Sequence, residues 1–212
     1  MSKYVVLDLE MCKVSKEARA KGFKARNELI QIGAVELDGD FQICREFNSL
    51  VKPEFGAVDA YIHELTGISQ KDLKDAPTAA EVLTNFYSWL SDDSVFVTWS
   101  NNDVKQIDDE LYYKDIELSE LYDYLDNYLD CQELFGEKLN TRKQYKLSEA
   151  LGIANIVYDV NMHDALVDAR NTARLFAKVQ NEEELVLSPY FMTQEQASMC
   201  IFDSFAFARK AV

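Results

Sequence analysis

The stretch KYVVLDLEMC, residues 3–12, sets Asp8 and Glu10 in an otherwise apolar run. Two apart on a strand, both side chains point to one face of a sheet. An ionised carboxylate is costly to remove from water without a partner, and VVLDLEMC contains no Lys or Arg. A divalent cation bound by oxygen ligands would supply the missing charge; a salt bridge to a distant Arg is the alternative. The D-x-E spacing alone is weak. The chain carries 37 acidic residues, and the pattern recurs at Asp108/Glu110 and Asp115/Glu117. Those copies lie in polar, helix-like sequence where solvation explains them. Only the first pair occupies an apolar strand.

A metal site needs ligands from other elements as well. Asp103, in TWSNND, follows an apolar strand where a helix is expected to begin. Taken alone it is explained by the ordinary preference for an acid in a first helical turn. NMHDALVDARNTARLF (161–176) says more, because Asp168 shares helical spacing with Ala165, Ala169, Thr172 and Phe176. That stripe is small and apolar, so an acid on it faces the core and needs a partner. His163, one of two histidines, stands five residues before Asp168. The other, His63 in IHELTGIS, is read as satisfying local backbone.

The elements that must position these residues follow from periodicity. A buried strand covers about 3–10, and strand-like runs at 28–38 and 40–51 flank DGD, a hairpin turn. Pro53, Gly56 and Gly67 punctuate an irregular region. Thr78, with Glu81 three residues on, caps a helix of about 79–91. SVFVTW (94–99) is a buried strand, and helices follow at about 102–114, 119–126, 130–138, 146–151 and 164–180, the last with Asn161 or His163 near its start. Residues 182–212 read as an acidic stretch and then an amphipathic helix. Three strands first, then alternating strand and helices, indicate an α/β sandwich with a mixed sheet.

Composition narrows the function classes. A net charge of −15 argues against a protein that coats nucleic acid, though not against an enzyme that touches it at one place. Between residues 11 and 28 the balance reverses: Lys13, Lys16, Arg19, Lys21, Lys24 and Arg26 face only Glu17 and Glu28. This segment is either solvated surface or, since it follows D-x-E directly, a holder of substrate phosphates. No apolar run is long enough for a membrane span, no leader pattern is visible, and Cys12, Cys44, Cys131 and Cys200 are scattered, which fits the cytoplasm.

Three blocks in order, VVLDLEM, TWSNND and HDALVDARNTA, resemble the motifs of the DnaQ-like (DEDDh) 3′→5′ exonucleases of the ribonuclease H-like superfamily. ELIQIGAVELD and HELTGIS match the supporting text, so the likeness covers about residues 3–180. The W-S-x-x-D form is closer to the Eri-type and sporulation-inhibitor-like subgroup, which includes RNA 3′ exonucleases. Ser100 stands where Gly is more usual, and Met11-Cys12 where proofreading forms carry Thr.

The resemblance implies a three-layer sandwich with a mixed five-stranded sheet flanked by helices. It assigns residues 1–180 to the exonuclease domain and leaves 181–212 as a helical extension packed on it. It further implies two Mg²⁺ or Mn²⁺ ions about 3.5–4 Å apart. Asp8 would bridge both ions, Glu10 and Asp168 would complete the first, and Asp103 would help hold the second; four negative charges then balance four positive ones. His163 would be the general base. The substrate would be a single-stranded RNA or DNA 3′ end, RNA favoured, releasing nucleoside 5′-monophosphates. Leu9, Met11, Leu65, Thr66, Trp99, Lys13, Lys24 and Arg26 are candidate substrate contacts. The alternatives are an oligoribonuclease-like enzyme for very short substrates and a non-catalytic nucleic-acid or protein-binding module.

Overall fold

The computed structural model describes residues 3–20, 22–158, 163–189 and 191. The strands are β1 (Lys3–Val14), β2 (Asn27–Leu37), β3 (Ile43–Leu50), β4 (Gly56–Ala57), β5 (Ser94–Thr98) and β6 (Leu129–Asp130). The helices are α1 (Lys16–Ala20), α2 (Ala60–Thr66), α3 (Ala79–Trp89), α4 (Asn101–Tyr113), α5 (Leu121–Asp126), α6 (Cys131–Lys138), α7 (Leu147–Ile153) and α8 (Ala165–Asn181). The sheet runs β3-β2-β1-β5-β6, with two-residue β4 attached to the end of β1 as a sixth strand beside the expected five. β1, β2 and β3 pair antiparallel, while β1, β5 and β6 pair parallel.

Alternation along β1 builds the layers. Val5, Leu7 and Leu9 enter one core with α3, α4 and α5. Val6 enters the other, with α6, α7 and α8. Both cores hold fully buried phenylalanines, Phe86 and Phe96 in the first, Phe135 and Phe176 in the second. Each such ring contributes roughly 1.5–3 kcal/mol by leaving water. Asp8 and Glu10 continue the parity of Val6, so the strand that holds the layers together also aims two acids at the α8 side.

Several boundaries differ from the periodicity. β1 runs to Val14 because Lys13 and Val14 pair with Ala57 and Gly56. The basic segment 11–28 therefore begins in β1 and ends in β2, and only 15–26, with α1, lies outside the sheet. IHELTGIS is not irregular: Asp59 caps α2 by accepting from Ile62 N–H, and Gly67 ends it with φ 73°. His63 Nδ1 meets Ile68 O at 3.0 Å, the local backbone partner expected of it. The cap of α8 is Asp164, with His163 just before it, and Asn161 lies outside the described residues. The expected Thr78–Glu81 capping box is present. Residues 182–189 carry no helix, and the amphipathic helix expected beyond them falls outside the described residues.

Candidate active site

β5 stops at Thr98 while β1 continues, so β1 has no parallel neighbour beyond the Val6–Val97 pairing. Asp8 and Glu10 lie beside that opening. The first turn of α4 stands there, capped by Ser100, and its Asp103 carboxylate lies against the Leu9 main chain. Asp103 thus reaches the strand from the side opposite α8.

Two residues of β2 let α8 approach from the other side. Gly33 pairs across from Asp8, and Gln31 across from Glu10. A Cβ at Gly33 would collide with the backbone of Ala165 and Leu166, so only glycine admits the first turn of α8 onto the sheet. Gln31, buried, then grips that turn. Its Oε1 accepts from Ala165 N–H at 3.2 Å, and its Nε2 donates to Asp164 Oδ2 at 3.3 Å and to Asn48 Oδ1 at 3.1 Å. Asp164 Oδ1 accepts from Leu166 and Val167 N–H.

His163 precedes this cap in the left-handed region, φ 72°, where a non-glycine residue is uncommon. In that conformation its N–H donates to Asp168 Oδ2 at 2.8 Å. The other oxygen, Asp168 Oδ1, is buried and makes no hydrogen bond of good geometry, with the Asn171 side chain beside the carboxylate. Ligand atoms of Glu10, His163 and Asp168 lie within 4.8 Å of one another.

Among the described residues, Asp8, Glu10, Asp103 and Asp168 form no ion pair with Lys or Arg. Their acidities record it. Burial first, then Asp103, Asp168, Glu10 and Asp164, push Asp8 well above the usual carboxylate range. Burial and the charges of Asp168, Asp103 and Asp164 push Glu10 up to about 8. Burial raises Asp103 to about 7, against the lowering effect of Leu9 N–H. Asp168 is raised by burial although His163 N–H, the His163 charge and the Asn171 side chain oppose it. Oxygen donors, an orphaned buried carboxylate oxygen and unbalanced negative charge fit a hard divalent cation.

The model of the RNase_T exonuclease family matches residues 5–176. The chain belongs to this family. It is a DnaQ-like DEDDh 3′→5′ exonuclease by family and ribonuclease H-like by fold. Family membership implies dependence on a divalent metal. The chain is 30% identical over 178 residues to DNA polymerase III PolC-type of Thermotoga maritima, covering 82% of this chain but 12% of that protein. It is 30% identical over 181 residues to DNA polymerase III subunit epsilon of Aquifex aeolicus, covering 84% of this chain and 81% of the relative. ERI1 exoribonuclease 2 of Danio rerio is 32% identical over 159 residues, 65% of this chain and 28% of that one. The nuclease domain of 3′hExo bound to rAMP superposes with a TM-score of 0.72 at 21% identity, over 90% of this chain and 98% of that one. E. coli exonuclease I with a dT13 oligonucleotide gives 0.65 at 15%, over 85% and 41%. These two likenesses are of fold.

The remaining predicted site residues of this exonuclease divide into two groups. Leu9, Met11, Trp99, Lys24 and Arg26 line one groove with Asp8 and Asp103. Lys13, Leu65 and Thr66 do not line it. Lys13 sits over the Tyr61 ring at 5.9 Å. Thr66 Oγ1 donates to Ile62 O and accepts from Ile68 N–H, closing α2. Reading the sequence for chemistry missed Gln31, Gly33 and Asp164. The first two lie in ELIQIGAVELD, and the hairpin register that sets them opposite Glu10 and Asp8 is the signal that finds them.

Proposed function

We propose that the chain removes nucleoside 5′-monophosphates from the 3′ ends of single-stranded nucleic acid, with RNA favoured over DNA. The observation that carries this reading is the convergence of four acids from β1, α4 and α8, Asp8 half-buried and the others buried, with no Lys or Arg among the described residues paired to them. Asp8, Glu10, Asp103 and Asp168 would hold two Mg²⁺ or Mn²⁺. When bound, such ions offset the charge of the acids and of the phosphodiester and make water a stronger nucleophile.

The chain's own residues supply the rest. His163 is exposed next to Glu10 and Asp168, where its imidazole can take the proton of the attacking water. Its main-chain N–H occupies one oxygen of Asp168 and leaves the other for a cation. Leu9, Met11 and Trp99 present apolar surface beside Asp8 for the terminal nucleotide. A likeness to an exoribonuclease and to a fold neighbour bound to rAMP supports the RNA preference. We also read residues 1–180 as the catalytic domain and 181–212 as its extension; Leu185, Leu187 and Phe191 pack on the α6–α8 core. Scattered cysteines, and the lack of a helix among the described residues long and apolar enough to cross a membrane, support a cytoplasmic location.

The test is a 5′-labelled oligonucleotide assay with matched RNA and DNA, both metals and a dinucleotide arm. Stepwise shortening, faster on RNA and lost on chelation, is the expected result. Binding without shortening of any substrate would make the chain a non-catalytic binder, and strong preference for the dinucleotide would make it an oligoribonuclease-like scavenger.

A further inference from the structure

We infer that Asn171 is a positioning residue for the metal site: its side-chain amide, one turn along α8, holds the Asp168 carboxylate in the orientation that leaves Oδ1 open to a cation. This rests on the exonuclease reading and adds to it a residue outside the four acids and His163. Asn171 lies in the interior of α8 and is 1% exposed. Local chemistry argues against an asparagine there. It is a weak former of helix interiors, and a buried amide is costly unless its donors and its acceptor find partners.

Buried polar atoms without a hydrogen bond of good geometry are concentrated at this place. Asp168 Oδ1, Asn171 Nδ2 and Oδ1, and Thr172 Oγ1 all fall within five residues of α8. Elsewhere among the described residues, Glu110 Oε2 and Lys114 Nζ have each other at 2.8 Å, which leaves only Arg19 Nε. A native fold keeps few such groups, so four on so short a stretch require a reason. Asp168 Oδ1 and Asn171 Nδ2 are each what the other lacks: a carboxylate oxygen is an acceptor, and the amide nitrogen carries two donors.

Helix geometry brings them together. Residues three apart are neighbours on a helix surface, and each Cα–Cβ bond tilts toward the helix N-terminus. The Asn171 side chain therefore leans over the turn that carries Asp168. There it favours the charged form of that carboxylate, as a donor beside it must. From the other end, His163 N–H fixes Asp168 Oδ2 at 2.8 Å. A carboxylate held by one oxygen alone can swing about its Cβ–Cγ bond, a torsion with broad wells. Held from before the helix and from one turn inside it, its plane is set. The amide is neutral, so it orients Asp168 without cancelling the charge that a cation needs; Lys114 does the opposite for Glu110. Gln31 and Asp164 fix the first turn of α8, whereas Asn171 acts on one side chain. Ligating carboxylates are commonly oriented by such outer contacts.

The test uses the full chain with Asn171→Leu, an apolar side chain of similar branching, and Asn171→Gln, which keeps the amide. Three readouts are compared with the wild type: Mn²⁺ affinity by calorimetry, thermal melting in chelator, and steady-state cleavage of a single-stranded RNA at saturating Mn²⁺. Asn171→Leu should weaken Mn²⁺ binding by about 10–100-fold. In chelator it should melt at or above the wild-type temperature, because an apolar group of the same shape removes an unsatisfied buried amide. The kcat should fall with KM for the RNA unchanged, and Asn171→Gln should recover part of the affinity and of kcat. If Asn171→Leu is not accommodated, Asn171→Ala, which adds no volume, should show the same fall in affinity. A fall in affinity matched by melting more than ~4 °C lower in chelator, with no recovery in Asn171→Gln, would make Asn171 a packing residue and overturn the assignment. A wild type that binds Mn²⁺ no more tightly than the folded Leu or Ala variant defeats this assignment alone. A wild type that binds no Mn²⁺ defeats the exonuclease reading and the assignment together.

Discussion

Two sets of carboxylates withdrawn from solvent share this sheet and are treated in opposite ways. Glu28, fully buried on β2, accepts from Glu54, Phe55 and Gly56 N–H and pairs with Lys114 Nζ at 2.7 Å. Glu110, fully buried on α4, accepts from Leu29 N–H at 2.7 Å and Gln106 Nε2 at 2.8 Å and shares the same Lys114 at 2.8 Å. Both charges there have a partner from the chain, and the cluster ties β2, α4 and the 54–56 turn together. Among the described residues Asp8, Glu10, Asp103 and Asp168 have no such cation; burial raises their pKa values, as it raises that of Glu110, but only at Glu110 does a lysine oppose the rise. The contrast separates burial that stabilises the fold from burial that waits for a cation. An acid cluster is a site when the chain withholds the counter-charge.

That contrast can be broken by substitution. Asp8→Asn should reduce turnover by about 10³-fold or more while leaving the metal-free protein as stable as the wild type or more so. Labelled-oligonucleotide kinetics with thermal melts in chelator would check it, and a large loss of stability would place Asp8 in the structural class. His163→Ala should cost ~10²–10⁴-fold in turnover, the range of general-base catalysis, with metal affinity kept within a few-fold. Calorimetric Mn²⁺ titration decides this, and an equal fall in affinity would make His163 a ligand.

Lys114→Met addresses the other cluster. It leaves Glu28 and Glu110 without their cation and should cost roughly 3–5 kcal/mol in denaturant unfolding. Gln31→Leu frees the first turn of α8 and should cost about 1–3 kcal/mol. It should also lower kcat more than it raises KM, because His163 and Asp168 lose their placement; Gln31→Glu should restore less than half of the loss, since it replaces a donor with a further negative charge.

A slope with pH reads the same contrast without any substitution. Glu10 near 8 and Asp103 near 7 lie above their ordinary carboxylate values. Between about pH 4.5 and 8 the folded state therefore holds protons that the unfolded chain has released, and the metal-free protein should lose stability as pH rises through that window. Saturating Mg²⁺ or Mn²⁺ should flatten the slope. Melting curves at matched ionic strength, with chelator and with metal, read both.

Much of the candidate site is legible in the sequence. Asp8 and Glu10 stand out by apolar context, and Asp168 by helical spacing with Ala165, Ala169 and Thr172. Both cues are local, because strand alternation and helical periodicity act over a few residues. Gln31 and Gly33 are not legible as site residues, since a glutamine and a glycine in an apolar strand have many ordinary explanations. Their role depends on register across β1 and β2 and on the approach of α8 more than 130 residues later. The α2 helix escapes sequence reading for a different reason: Gly67 reads as a breaker, yet as a left-handed cap it completes the helix.

What the sequence by itself determined was the inventory: that Asp8 and Glu10 lie in an apolar strand and Asp168 on an apolar helix face, which histidine precedes the last helix, and the order of the longer strands and helices. Local periodicity and composition suffice for that. Only the tertiary structure decided which acids were paired. Glu110 stands in polar, helix-like sequence and reads as solvated, yet it is fully buried; Lys114 neutralises it and Glu28 solely because the fold brings it within 2.8 and 2.7 Å of them. A charge's partner is set by distance in space, and among the described residues no Lys or Arg pairs with the four acids that β1, α4 and α8 bring together.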